Sequence, residues 1–218
     1  MAQDVKADTK LKQTWENVWR ADDIEAKHLD ALSAHPSPNT KLFRPHVERM
    51  LALHRDGTLL EAGCGLGQWL FFALERGTKH AIGLDLTADT LRRLRKSETL
   101  RSYFDEGRIE LLEGDMRAIP LAAESVDLIF SFGVIEHVVS RDSQKTVDEF
   151  FRVLRPGGRI LLATPNVWSM HSVTRPILQA LRKWRVGFER SISPAGLANY
   201  CRRSGLQIEE SGVLESGY

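Results

Sequence analysis

The chain has 218 residues, 42% of them apolar and 27% charged, with a formal net charge of +1. That length suits one domain with its own core, and that composition excludes a disordered chain. The near-neutral balance gives no bulk attraction to nucleic acid or to an acidic membrane, so no nucleic-acid partner is expected. Two cysteines, Cys64 and Cys201, make neither a disulfide framework nor a metal cluster. The stretch Met1 to Lys12 is polar and charged, without a secretory apolar region, and no apolar run approaches the roughly 18 residues that span a bilayer. The expected location is cytoplasmic.

Residues 1–56 read as an N-terminal helical segment or lid. Trp15, Val18, Trp19, Ile24, Leu29 and Leu32 recur among charges at rough helical spacing. His35-Pro36-Ser37-Pro38-Asn39 breaks that pattern, and a second amphipathic stretch runs from Leu42 to His54. From residue 57 the pattern changes to strands alternating with helices. Thr58 to Ala62 reads as a buried strand, followed by a glycine-rich turn and the apolar helix Gln68 to Leu74, with Gly77 at its C-cap. His80 to Asp85 is the next strand, and Thr87 is placed to cap a helix carrying Leu91 and Leu94. Ile109 to Leu112 and Val126 to Phe130 are further strands. A helix over Ser143 to Leu154 is stopped by Pro156-Gly157-Gly158, and a fifth strand runs from Arg159 to Thr164. Ser193-Pro194 opens a last helix, and Leu206 to Leu214 reads as a sixth strand. Strands and helices in this rhythm imply βαβ crossovers, hence an α/β fold with a mostly parallel sheet and helices on both faces.

The segment that carries a ligand is Leu59-Leu60-Glu61-Ala62-Gly63-Cys64-Gly65-Leu66-Gly67, at the handover from first strand to first helix. Ligands of open α/β sheets bind beyond the carboxyl ends of the strands. Glycine there lets backbone approach a ligand without a Cβ in the way. The following helix offers free N–H groups and a positive dipole end. A dinucleotide fingerprint, Gly-x-Gly-x-x-Gly, would need glycine at position 68, where Gln68 stands; the Lys-Ser/Thr of a phosphate-binding P-loop is also missing.

What remains, Glu-x-Gly-x-Gly-x-Gly, resembles the first motif of the class I S-adenosylmethionine (SAM)-dependent methyltransferases, in their small-molecule type 11 branch. Three further features fall where that family has its motifs: Asp85 with Leu86 at the end of the second strand, Gly114-Asp115-Met116 after the third, and Val126 to His137 around the fourth. Leu154-Arg155-Pro156-Gly157-Gly158 completes the resemblance, which runs from Leu59 to Thr164. It implies a Rossmann-like fold, SAM as cofactor and methyl transfer to a small or medium-sized acceptor. It assigns Gly63, Cys64, Gly65, Gly67 and Glu61 to the cofactor loop, Asp85 to the ribose hydroxyls, Asp115 and Met116 to the adenine, and the chain near Ser131 to the methionine ammonium. The family's sheet ends on a seventh, antiparallel strand, for which only Glu215 to Tyr218 remain here.

Bland readings stand beside several of these. Glu61 either meets ligand or closes a local hydrogen-bond network, and Cys64 fits simply as a small turn residue. Asp115 after glycine is also ordinary turn chemistry. His137 is the candidate general base, oriented by Glu136, or else a residue lining the acceptor pocket. His171 is a second candidate. Trp15 and Trp19 fold over the cofactor or are half-buried packing. Residues 165–192 form an acceptor lid in which Arg175 to Arg190 mixes cations with Ile177, Leu178, Leu181 and Trp184; they recognise an amphiphilic acceptor, with peripheral membrane contact, or pack as a helix with charges in water. Two competing functions are a non-catalytic SAM-binding module and an NAD-dependent dehydrogenase, the latter disfavoured by Gln68.

Overall fold

The computed structural model describes residues 2–20, 22–54, 56–167, 170–181 and 188–214. Its centre is a sheet of five parallel strands: β1 (Thr58–Ala62), β2 (His80–Asp85), β3 (Ile109–Glu113), β4 (Val126–Phe132) and β5 (Leu154–Ala163). Their order is β3-β2-β1-β4-β5. The chain winds outward from β1 to β3, then returns to the other side of β1, so strand order reverses between β1 and β4. Side chains alternate faces as strand geometry requires. Leu59, Leu128 and Phe130 join one apolar cluster, while Leu60, Ile129 and Ile82 join another with Phe150 and Val153. The sequence is Rossmann-like in its fold, as expected.

Nine helices accompany the sheet among the described residues: α1 (Ala2–Trp19), α2 (Ile24–Leu32), α3 (Pro38–Leu53), α4 (Gln68–Glu75), α5 (Ala88–Leu94), α6 (Arg101–Asp105), α7 (Ser140–Val153), α8 (Met170–Ala180) and α9 (Pro194–Arg203). Trp69 to Leu74 of α4 are all buried, so this helix has no solvent face. A helix apolar all round must be covered on every side. The sheet covers one side of α4; Ala31 of α2 and Val47, Met50 and Leu51 of α3 pack with Trp69, Phe72 and Ala73 on the other. The N-terminal helices therefore complete the core.

Several boundaries differ from the sequence reading. Pro38 starts α3 instead of breaking the chain, because a first-turn proline gives up an N–H that has no intrahelical partner anyway. Strand β5 begins at Leu154, which pairs with Val126; the ladder then slips, and Arg159 pairs with Leu128. The turn Pro156-Gly157-Gly158 bulges out of the strand between those pairs. The expected strand Leu206 to Leu214 does not form. Only Leu206 and Ile208 in that stretch are partly buried, and Glu209 and Glu210 are engaged by Arg159 and Arg49 on the surface. No antiparallel strand is added to the sheet among the described residues. Residues 215–218 lie outside them, as do Trp168 and the cationic residues Arg182, Lys183 and Arg185.

Burial of α4 sets an expectation. Phe72 is fully buried, whereas Leu53 at the end of α3 is 54% exposed. Phe72→Ala should destabilise the chain by about 3–5 kcal/mol and Leu53→Ala by less than about 0.5 kcal/mol, read by denaturant unfolding.

Candidate active site

The turn from β1 into α4 is built on left-handed backbone: Gly63 has φ 78°, Gly65 φ 48° and Gly67 φ 69°. Only glycine adopts these angles without a Cβ penalty. The Gly63 and Cys64 amides both donate to the Leu84 carbonyl, at 2.8 and 3.0 Å, tying the loop to the end of β2. A Cβ on Gly63 would stand 2.6 Å from Cγ2 of Val134, in the turn after β4. The loop thus fills the gap between the ends of β2 and β4, where strand order reverses.

Two buried acids set the electrostatics. Asp85 accepts the Gly65 amide on Oδ2 at 2.9 Å, and the Thr87 amide and hydroxyl on Oδ1 at 2.9 and 2.6 Å. Thr87 stands at the N-cap of α5 but gives its hydroxyl to Asp85 rather than to the helix. A carboxylate offers about four acceptor positions, so one remains for a ligand. Glu61 accepts the Leu70 amide of α4 at 2.9 Å. Burial pushes its carboxyl up to about 8, the Asp85 charge adds to that, and the Leu70 and Trp69 amides oppose it. Burial likewise raises the Cys64 thiol, so Cys64 fills the turn as an inert small residue.

These groups border a cavity of about 750 Å³, a size typical of small-ligand sites. Its floor is the glycine loop, and its roof is α1. A Cβ on Gly65 would come 2.9 Å from the indole of Trp19. Trp15 stacks on Trp19 with ring centroids 5.5 Å apart and meets the His137 ring edge-on at 4.8 Å. Arg93 of α5 anchors the end of α1 by donating to the Trp19 and Asp22 carbonyls.

At the β3 end, Asp115 is clasped by Arg117. The Arg117 amide and Nε donate to Oδ1 at 2.8 and 3.0 Å, and Nη2 to Oδ2 at 2.5 Å. Arg117 Nη1 also reaches Asp142 of α7 at 3.0 Å. Burial works against the Asp115 charge, but the Arg117 hydrogen bonds and charge prevail and hold its carboxyl below the usual range.

At the β4 end, His137 lies in a short 3₁₀ turn and is 8% exposed. Its Nδ1 faces the Phe188 carbonyl at 2.7 Å. A carbonyl only accepts, so Nδ1 carries the proton and the lone pair of the neutral ring sits on Nε2. Glu136, expected to orient this ring, does not bond it. Its Oε2 is buried without a hydrogen-bond partner, and burial pushes its carboxyl up to about 7.

The cavity brings together Glu61, Gly63, Cys64, Gly65, Asp85, Leu86, Asp115, Met116 and His137. Two expected residues stand apart from it. Gly67 is the left-handed N-cap of α4, and the Ser131 hydroxyl is buried without a partner while Phe132 and Gly133 beside it line the wall. The His171 side chain lies outside the described residues. Arg117, Asp142 and the Phe188 carbonyl escaped the sequence reading. Of these, Arg117 alone carried a signal, as a cation two residues after an acid in a turn.

Residues 60–162 match the model of the family Methyltransf_11, described as "Methyltransferase domain". A protein of Mycolicibacterium smegmatis named "Probable S-adenosylmethionine-dependent methyltransferase" is 37% identical over 127 residues, which cover 57% of this chain and 45% of that protein. The "Ubiquinone/menaquinone biosynthesis C-methyltransferase UbiE" of Syntrophotalea carbinolica is 37% identical over 141 residues, 64% of this chain and 54% of that protein. The solved geranyl diphosphate C-methyltransferase of Streptomyces coelicolor, in complex with S-adenosylhomocysteine, superposes with a TM-score of 0.64 at 16% identity, covering 91% of this chain and 78% of that one. That likeness shows a shared fold. The chain spans about half the length of the curated relatives it matches. Residues 60–162 are thus similar to a methyltransferase domain of that family.

The Glu61 carboxyl makes stability depend on pH. Its folded value is raised, so the folded chain holds a proton that the unfolded chain releases between about 4.5 and about 8. This contribution is complete below the lower value and is lost as pH rises through the upper one. Glu61→Gln, neutral at every pH, should flatten the fall in melting temperature between pH 6 and 9.

Proposed function

We propose that the chain transfers the methyl group of SAM to a nucleophilic atom of a small or medium-sized acceptor. The observation that carries this reading is the glycine loop, held through the Gly65 amide by Asp85, flooring a cavity where strand order reverses in a methyltransferase domain. The cavity suits the cofactor chemically. Asp85 keeps an acceptor position for the ribose hydroxyls, and Leu86 lies beside it. Asp115 and Met116, with Arg117, border the adenine end. Glu61 and the backbone of 132–133 receive the methionine end, whose ammonium would favour the ionised Glu61. With no side chain on Gly65, a ligand there is bounded by backbone below and the Trp19 indole above.

SAM supplies a methyl group made electrophilic by a positively charged sulfur. The chain has then to hold a nucleophile in line with that methyl and to keep water away, which can contribute several kcal/mol without a strong catalytic group. Helix α1 supplies the roof, acting as a lid. His137 faces the acceptor side and takes the proton that the nucleophile loses. The described residues among 165–192 contribute to the acceptor's entrance. There Phe188 lines the cavity and is 52% exposed, and Ile177 and Leu181 at α8 are 57% and 60% exposed. Exposed apolar side chains on the cavity at Phe188 and on the surface at α8 favour an amphiphilic acceptor, met in water or at a membrane surface. No helix among the described residues is long and apolar enough to cross a membrane.

The test is to incubate the chain with SAM carrying a trideuterated methyl group and a fractionated small-molecule extract, following S-adenosylhomocysteine and labelled product by mass spectrometry. We expect S-adenosylhomocysteine and a trideuteromethylated acceptor to form together in one fraction, with His137→Ala slowing this at least about 100-fold. Absence of label in every fraction, from protein that binds SAM, contradicts the transferase reading.

A further inference from the structure

The family match begins at residue 60, yet the cofactor loop is gripped by a residue far upstream. His28 of α2 is fully buried. Its Nε2 lies 2.8 Å from the Leu66 carbonyl and its Nδ1 2.5 Å from the Thr99 hydroxyl, while its ring stacks on Phe71 of α4 at 4.9 Å. A carbonyl can only accept, so Nε2 carries the proton and the Thr99 hydroxyl donates to Nδ1. Both nitrogens of a neutral ring are thereby satisfied.

Leu66 sits between Gly65 and Gly67, both at positive φ, and lines the cavity. Glycine on either side leaves the Leu66 carbonyl few local restraints on its direction. Turning it would also turn the Gly67 amide, which donates to the Cys64 carbonyl at 2.8 Å and closes the turn into α4. The direction of this peptide is therefore set from both ends, by the turn's own Gly67–Cys64 bond and by His28 of α2. The preceding residue of α2, Lys27, itself lines the cavity, with its Nζ 5.6 Å from the Trp19 ring.

We infer that His28 is a positioning residue for the cofactor: by donating to the Leu66 carbonyl it holds the glycine loop in its binding shape, and it couples SAM affinity to acidity. The inference rests on the cofactor reading above. Protonation of the ring would place a charge in a site closed to water, and burial opposes this. The Leu66 carbonyl and the Glu25 carboxylate on α2 only partly offset that cost, and Glu25 is itself held by the Glu98 amide from the chain after α5. Acid therefore favours release of α2 from the loop, and cofactor affinity falls with it.

The experiment is calorimetric titration of the whole chain with S-adenosylhomocysteine from pH 5.5 to 7.5, with melting temperatures measured in parallel. Native chain should bind more weakly at the acid end. His28→Phe keeps the stack on Phe71 but cannot donate; at pH 7.5 it should bind about 3- to 10-fold more weakly, the worth of one hydrogen bond. His28→Gln can still donate to the Leu66 carbonyl, so it should recover affinity at pH 7.5 and fall less toward acid than native chain, the remaining fall belonging to Glu61, which the same pH range protonates. Folded His28→Phe binding within twofold of native overturns the inference, as does an unchanged acid profile in His28→Gln. Should His28→Phe fail to fold, the His28→Gln profile decides alone. Native chain that is folded but binds no S-adenosylhomocysteine at pH 7.5 defeats the cofactor reading itself, and this inference with it.

Discussion

The Asp85 carboxylate at the end of β2 joins that strand to two other segments. Through Gly65 it fixes the loop leaving β1, and through the Thr87 amide and hydroxyl it fixes the entry to α5. Each bond is charge-assisted and mostly shielded from water, which makes it worth about twice a neutral one. The Leu84 carbonyl, one residue earlier, takes the Gly63 and Cys64 amides of the same loop. The end of β2 is thus the template on which the glycine turn is shaped. That turn, through Gly63, Cys64 and Gly65, forms one wall of the cavity.

Trp19 can lie on Gly65 only because there is no Cβ to meet it, and Trp15, stacked on Trp19, meets the His137 ring. Helix α1 therefore touches the cofactor loop and the acceptor-side turn with two residues one helical turn apart. Beneath the turn, α4 starts at Gly67 with its first amides directed at Glu61, which explains a buried acid on a central strand. Glu61 closes a local network, as one of its sequence readings expected, and it also borders the cavity.

The sheet was legible because its signals are local. Short apolar runs between turn residues mark each strand, and the Gly-x-Gly-x-Gly spacing places the loop without knowledge of its neighbours. Asp85 was legible for the same reason, as an acid ending a strand. What escaped notice is held by partners distant in sequence. Nothing around Arg117 tells that α7 brings Asp142 to it, 25 residues on. Nothing around His137 tells that its Nδ1 partner is a carbonyl at Phe188 rather than the adjacent Glu136. His28 looks like any histidine on an amphipathic helix until α2 is laid on α4. The strand expected after α9 is the opposite error: Leu206 to Leu214 has apolar residues enough for a strand, but its two acids pair with surface arginines and its backbone joins no sheet edge.

The central claim is that Asp85 shapes the loop and receives the cofactor. It is tested most directly by titrating native chain and Asp85→Asn with S-adenosylhomocysteine at pH 7.5, on protein shown by circular dichroism to be folded. Asparagine keeps the size of the side chain but loses its charge and one acceptor oxygen. The account predicts micromolar binding by native chain, weakened at least about 10-fold in the variant, the measure of a hydrogen bond to a charged group. Equal binding by both proteins, or none by the native one, would contradict it.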